Sequence, residues 1–219
     1  MKKIFAFVAA TVLFAGIANA QLGVNVGYAP QTYTQVYTNG NNSSTDNLEL
    51  NGFFGGVNYN MPVSGDLNVS LGVQFRFNTK TTESNAGVGT LLTYNGKTEM
   101  TQMLLDIPIL FNYGLKLTGE LKIGAFAGPT VSYALSGNSH VTTSGSVAGL
   151  GGSGESDYPW YGDNGDWKNL ELGGTVGVFA TMNSIRLFGG YNMGLLNIDK
   201  RDNYSTKGSN IFFGVGYAL

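Results

Sequence analysis

The sequence predicts an all-β chain, an eight-stranded antiparallel up-and-down transmembrane β-barrel preceded by a cleaved signal peptide. Three observations carry that prediction. Eight segments alternate apolar and polar residues with the period of two that places successive side chains on opposite faces of a strand. The connections between them alternate tight turns with long polar stretches, the asymmetry of outer-membrane barrels. Only 12% of the residues are charged, while 33 of 219 are Gly and none is Cys. An ordinary soluble domain carries about 25% charged residues and about 7% Gly.

The chain divides into 1–20, the signal peptide, and 21–219, the barrel. The opening "MKKIFAFVAATVLFAGIANA" has Lys2 and Lys3 as a basic start, an apolar core from Ile4 to Ile17, and Ala18-Asn19-Ala20 as a small-x-small cleavage site. That core falls short of the ~20 apolar residues of a membrane anchor. Gln21 is the expected mature start, and no Cys follows that could be lipidated. Losing two lysines makes a chain of formal net charge −2 more acidic. No basic patch remains, which excludes nucleic acid as a partner. Without Cys, stability must come without disulfides. An exported chain with no further apolar helix is either soluble beyond the inner membrane or a barrel in the outer one.

The strands follow in order. "LGVNVGYA" sets Leu22, Val24, Val26 and Tyr28 against Gly23, Asn25, Gly27 and Ala29. "LELNGFFGGVNYNM" is the least regular, with Phe53, Val57, Tyr59 and Met61 sharing a face with Glu49, Asn51 and Gly55. "LNVSLGVQFRFN" opposes Leu67, Val69, Leu71, Val73, Phe75 and Phe77 to Asn68, Ser70, Gly72, Gln74, Arg76 and Asn78. "MLLDIPILFNYGLK" places Met103, Leu105, Ile107, Ile109, Phe111, Tyr113 and Leu115 on one face and Asp106, Pro108, Asn112, Gly114 and Lys116 on the other. The remaining four are "LKIGAFAGPTVSYAL", "LELGGTVGVFAT", "SIRLFGGYNMGLLNI" and "NIFFGVGYAL", each with one apolar face and one rich in Gly.

Segments 62–66, 118–120 and 183–184 read as tight turns, expected to place Met61 opposite Leu67, Leu117 opposite Leu121, and Met182 opposite Ile185. Segments 32–47, 79–99, 136–168 and 199–209 read as long loops rich in Gly, Ser, Thr and Asn. The turns and both termini are expected in the periplasm and the four loops outside. Pro108 cannot donate to a ladder, and its neighbour Ile109 is expected opposite Pro129, so a local break or bulge is expected there.

The face that meets lipid follows from size. An eight-stranded barrel is only just wide enough inside to be filled by side chains. A face of Phe, Leu, Ile and Tyr would overfill it, whereas Gly, Ala, Ser and Asn with occasional Arg, Asp and Phe fit. The clean apolar face therefore points outward.

The stretches "LLDIPILFNY", "GGYNMGLLNI" and "FFGVGYAL" resemble the PorT-like, porin-family outer-membrane β-barrel domain, and the whole pattern resembles small barrels of the OmpX and OmpA-transmembrane type. The resemblance implies a place in the bacterial cell outer membrane, contact with outer-membrane lipid, and the barrel assembly machinery as a partner during biogenesis. The terminal Leu219 departs from the aromatic residue that commonly ends such barrels.

Six charges fall on inward faces: Arg76, Asp106, Lys116, Lys122, Glu171 and Arg186. They read either as a filled polar core with paired charges, because unpaired buried charge is costly, or as a narrow ion path. Arg76 and Asp106, on neighbouring strands, are the expected pair. Lys116, Lys122 and Arg186 are expected near the periplasmic end, within reach of water. His140, the single His, lies in a Gly/Ser stretch expected to position nothing well for acid–base chemistry, and one His without Cys does not make a zinc site. "ESDYPWYGDNGDWKN" holds both Trp residues and supplies Asp157, Tyr158, Trp160, Tyr161, Asp163, Asp166 and Trp167. It reads as a membrane-edge aromatic belt, as a recognition loop for a partner or glycan, or as a calcium loop whose spacing does not match an EF-hand. "GLGGSG" lacks the Lys-Ser/Thr of a phosphate loop. No cofactor is expected. The function expected is that of a non-enzymatic barrel with a filled lumen whose external loops contact a partner outside. The alternatives are narrow-channel transport and an outer-membrane enzyme.

Overall fold

The computed structural model describes residues 21–40, 42–88, 92–147 and 150–219. The expected signal peptide lies outside the described residues. The described residues form ten strands: β1 (Gln21–Tyr28), β2 (Gln31–Asn39), β3 (Asn42–Ser64), β4 (Leu67–Val88), β5 (Leu92–Thr118), β6 (Leu121–Val147), β7 (Leu150–Pro159), β8 (Leu170–Met182), β9 (Ile185–Gly194) and β10 (Tyr204–Ala218).

They form eight staves, because two staves are each built from two strands. β1 and β2 both pair β3 on one side and β10 on the other. They are halves of a single stave interrupted at Ala29-Pro30, where Pro30 has no N–H to give the ladder and Ala29 N–H reaches Gly52 O at 2.8 Å. β7 and β8 likewise both pair β6, and residues 160–169 depart from the wall between them. Antiparallel pairing of β1 with β10, from Gly23↔Ala218 to Tyr28↔Phe213, closes the ring.

Among the described residues, three of the expected loops extend the wall, apart from 160–168 in the third. β2 and β3 form a hairpin over 31–50, β4 and β5 stay paired to Val88↔Leu92, and β6 pairs β7 out to Val147↔Leu150. Part of the fourth, 199–209, belongs to β10. Beyond the apolar band the outward face meets water in place of lipid and turns polar, so the period-two signal weakens although the ladder continues, with only scattered inward apolar residues such as Tyr33, Leu48 and Met100.

At the other end each turn has two residues, as expected at 183–184 but fewer than the five and three expected at 62–66 and 118–120. Met182 does face Ile185. Ser64 pairs Leu67 and Thr118 pairs Leu121, with irregularities at Pro62/Ser64 and Lys116/Thr118 that bring Met61 opposite Val69 and Leu115 opposite Ile123. Each bulge adds one residue to one strand and so restores the parity that keeps apolar faces together. The first turn residues Gly65, Gly119 and Asn183 have φ of 54°, 57° and 55°, a left-handed conformation that Gly and Asn tolerate.

Pro108 and Pro129 interrupt the ladder as expected, but without a bulge. Pairing lapses between Pro108↔Thr130 and Phe111↔Ala127 and resumes in the same register. The bulge on this strand pair lies higher, between Met103↔Ser136 and Leu104↔Ala134.

The faces are as the side-chain sizes require. Val26, Phe53, Phe75, Phe111, Val178, Ile211 and Phe213 are exposed on the outside of the ring, while Asn25, Arg76, Asp106, Asn112, Thr130 and Thr175 are buried within it. Inward glycines are the seats of inward rings. A Cβ on Gly177 would lie 2.2 Å from the Phe126 ring, and one on Gly27 would lie 2.4 Å from that of Phe54.

Arg in place of the outward Phe75 or Ile109 should cost about 2–4 kcal/mol near the bilayer midplane. The measurement is urea unfolding of the barrel in lipid vesicles, and unchanged stability would mean that the faces are reversed.

Candidate functional site

The side chains of chemical interest form successive layers inside the ring. At the hairpin end, Tyr33, Leu50, Leu104, Ala134, Tyr161, Trp167 and Ile198 make a buried apolar cluster, against which Leu48, Met100 and Trp160 pack. Trp167 is its centre, with ring centroids 4.8 Å from Tyr33, 5.2 Å from Trp160 and 6.0 Å from Tyr161. The segment 160–169 folds over the mouth and is tied down by its backbone. Trp160 N–H donates to Gly137 O at 2.9 Å, Lys168 N–H to Ile198 O at 2.7 Å, and Lys200 N–H to Asp166 O at 2.8 Å. Gly165 is required here, since a Cβ would sit 2.3 Å from the Trp160 backbone.

Below the cluster lies a polar layer. Asn78 donates to Gln102 at 2.6 Å; Gln102 donates to the Tyr33 hydroxyl at 2.7 Å and also to that of Tyr161; and Tyr33 donates to the Glu171 carboxylate at 3.1 Å. The next layer is the expected ion pair. Arg76 Nε is 3.0 Å from Asp106 Oδ2, and Nη2 donates to Oδ1 at 3.1 Å. Arg76 pairs Leu104 and Asp106 pairs Gln74 in the ladder, so the two charges are diagonal neighbours within reach of a long side chain. Nη1 of Arg76 bonds the Gln31 amide. Losing one partner of such a pair would strand a buried charge at a cost of about 3–5 kcal/mol.

Further along, Phe54, Phe188, Phe212 and Phe126 cross the lumen from four strands, with centroid separations of 6.1–6.5 Å. Arg186 lies 3.9 Å over the Phe179 ring and donates to Asn112 Oδ1 at 2.7 Å. It is thus drawn into the lumen and stacked, while Lys116 is exposed at the turn end and half-buried Lys122 lies 3.8 Å from Asp66.

The seven loop residues separate into two groups. Trp167 and Tyr161 are each only 8% exposed and belong to the cluster that covers the mouth. Half-buried Trp160 donates its indole N–H to Ser139 at 2.7 Å. These three rings therefore do not form a membrane-edge belt, because they turn inward toward Tyr33. Tyr158, Asp157, Asp163 and Asp166 are exposed, and Asp166 lies 3.1 Å from Arg201. Among the described residues, no group of three or more His, Asp or Glu side chains converges to hold a metal ion.

His140 is better placed than a flexible loop would allow. It lies in β6, with Glu99 of β5 and Asp157 of β7 directly opposite, and its Nδ1 is 2.9 Å from Asp157 Oδ1. The hydrogen bond to Asp157 raises the imidazole pKa above its usual value, and the same bond lowers that of the carboxyl.

Sequence reasoning missed Tyr33, Gln31 and Gln102, and also the group around Asp199. Burial would raise the Asp199 carboxyl, but hydrogen bonds from Arg201 and Thr206 outweigh it and bring the pKa down to about 2. Arg201 Nη2 donates at 2.8 Å and Thr206 at 2.9 Å. The Asp199 signal was local: "NIDKRDN" places an acid two residues before a base. Tyr33 and Gln31 offered no such signal.

Because the folded pKa of His140 is raised, its tie to Asp157 contributes fully below the ordinary imidazole range and is lost as pH rises through the raised value. Glu99 and Glu155 also face the ring, and Lys97, 2.8 Å from Glu99, partly offsets them. NMR titration should show the His140 pKa above about 6.5 and returning toward it in Asp157→Asn. An unshifted imidazole would remove the tie.

Residues 14–200 match the family described as outer membrane protein beta-barrel domain. No curated protein matches the chain. Among solved structures, it is similar to Ail, the attachment invasion locus protein of Yersinia pestis, in complex with the heparin analogue sucrose octasulfate. That likeness is 14% identity and a TM-score of 0.40 over 92% of this chain and 99% of that one. Neisserial surface protein A is similar at 12% identity and a TM-score of 0.34, over 92% and 99%. The outer membrane protease OmpT of Escherichia coli is similar at 10% and 0.44, over 92% and 97%. Such distant likenesses carry no activity from one barrel to another. The closed ring, its apolar outer face and the family match over most of its length agree: the chain belongs to the outer membrane protein β-barrel domain family and resides in the bacterial outer membrane.

Proposed function

We propose that this barrel is a non-conducting, non-enzymatic surface protein, whose long hairpins make contact outside the cell while the ring anchors them. The observation that carries this reading is the cover over the hairpin end, where Trp167 and its neighbours pack across the mouth above the Tyr33–Gln102–Glu171 and Arg76–Asp106 layers. Long loops of such barrels are extracellular and short turns periplasmic, so the cover faces outward. A lumen filled by rings and paired charges favours anchorage over passage. The three paired hairpins beyond the apolar band present exposed polar residues, Tyr94 and Tyr158 among them. Exposed aromatic side chains of this kind anchor protein and glycan contacts. The partner is an extracellular protein or glycan.

Planar-bilayer recordings of the purified barrel should show negligible current, and Trp167→Ala should stay non-conducting because the ion-pair and Phe layers still fill the lumen below the cover. A large steady current through the unaltered protein would defeat the closed-lumen reading. Shortening the β6–β7 hairpin by removing residues 142–155 leaves Val141-Ser156 as a two-residue turn above the His140↔Asp157 pair and keeps Gly137 and Ser139, which hold Trp160. That form should fold, stay non-conducting, and lose the binding that the intact protein shows on matrix-protein and glycan arrays. Equal binding by both forms would place the contact on another hairpin.

A further inference from the structure

Below the cover, the lumen retains a cavity of about 100 Å³. The Arg76–Asp106 pair bounds it toward the hairpin end, Arg186 and Asn112 toward the turn end, and Phe126, Phe188, Phe212 and Leu110 supply apolar wall between them.

The cations on the inner face of the barrel are unequally compensated. Arg76 has Asp106 at 3.0 Å and Lys122 has Asp66 at 3.8 Å. Arg186 takes part in none of the ion pairs found among the described residues. It rests on the Phe179 ring and gives one hydrogen bond to the neutral Asn112. A guanidinium has five N–H donors, so most of its capacity is directed elsewhere. A partly desolvated cation with unspent donors, beside a hollow walled by rings, suits a ligand with a planar anionic head and a short apolar body. Guanidinium matches carboxylate by two parallel hydrogen bonds.

Size narrows the class. An apolar cavity of about 150 Å³ accommodates benzene, so this smaller one suits a molecule of about three carbons. The approach is from the periplasm. Arg186 pairs Thr181, one rung from the turn, and Lys116 pairs Lys122 at the same end. Lys116, Lys122 and Arg186 outnumber Asp66 and Glu120 at this end, a small positive excess that favours anions, while the Trp167 cluster closes the opposite end and makes the pocket blind. We propose that the lumen cavity is a periplasm-facing binding site for a short-chain carboxylate, held by Arg186.

The test uses the full barrel in detergent micelles, titrated with propionate and, separately, with the neutral propan-1-ol. The NMR signals of Arg186 Nε–H and Asn112 Nδ2–H should shift saturably with propionate alone. Arg186→Gln should weaken binding by about tenfold or more, as expected for loss of charged hydrogen bonds. The proposal is overturned by an absence of saturable shifts, which would leave a merely hydrated cavity, or by undiminished binding in a folded Arg186→Gln protein. Should that variant not fold, the unaltered barrel still decides, because an equal response to propan-1-ol rules out recognition of the carboxylate.

Discussion

An eight-stave ring is only as wide inside as the side chains that fill it. Each inward position is therefore constrained twice, by the volume left by the opposite wall and by the need to neutralise any charge it brings. The first constraint sets rings over glycines, as Phe126 over Gly177 and Phe54 over Gly27. The second aligns Arg76 with Asp106 on adjacent strands and lays Arg186 on an aromatic face. The outward face has neither constraint, and there hydrophobicity alone matters.

The same wall serves two solvents. Within the bilayer the strands must satisfy their backbone groups without water, which the closed ladder does except where pairing lapses beside Pro108. Beyond it, β4, β5 and β6 continue as polar hairpins with the same hydrogen bonds and no apolar face. The stave that holds β7 and β8 is the one that leaves the wall, and it does so at the boundary between these regimes. There the detour of residues 160–169 exchanges ladder contacts for an apolar cluster under the hairpins.

What could be read from the sequence follows this division. The strands, the lipid face and the Arg76–Asp106 pair were legible because one-sided burial writes a period of two into the residues. The hairpin extensions were not, since residues such as Thr81, Thr82 and Glu83 are wet on both faces. Tyr33, which holds Glu171, was hidden for a different reason: it is buried, but its inward neighbour Gln31 is polar, so the face it shares carries no apolar alternation. Turn lengths were misjudged at Gly65 and Gly119 because a bulge beside a two-residue turn preserves parity just as a longer turn would. The inward packing of Trp167 depends on Ile198 and Leu50, which are remote in sequence, and local composition carries no trace of that meeting.

The seating of rings over glycines has a further consequence for how such a chain can diverge. A larger residue at Gly177 collides with Phe126, and one at Gly190 would bring a Cβ within 2.8 Å of the Phe212 ring. Each glycine and its ring come from different strands, so neither position is free to drift alone. The same Cβ would also come within 2.5 Å of the Gly189 carbonyl at Gly177 and 2.3 Å of the Val176 carbonyl at Gly190, so a larger residue there needs a smaller ring and a shift of the adjoining strand together. Lineages of this barrel should therefore record their interior in correlated positions across strands, while the lipid face varies independently among apolar residues.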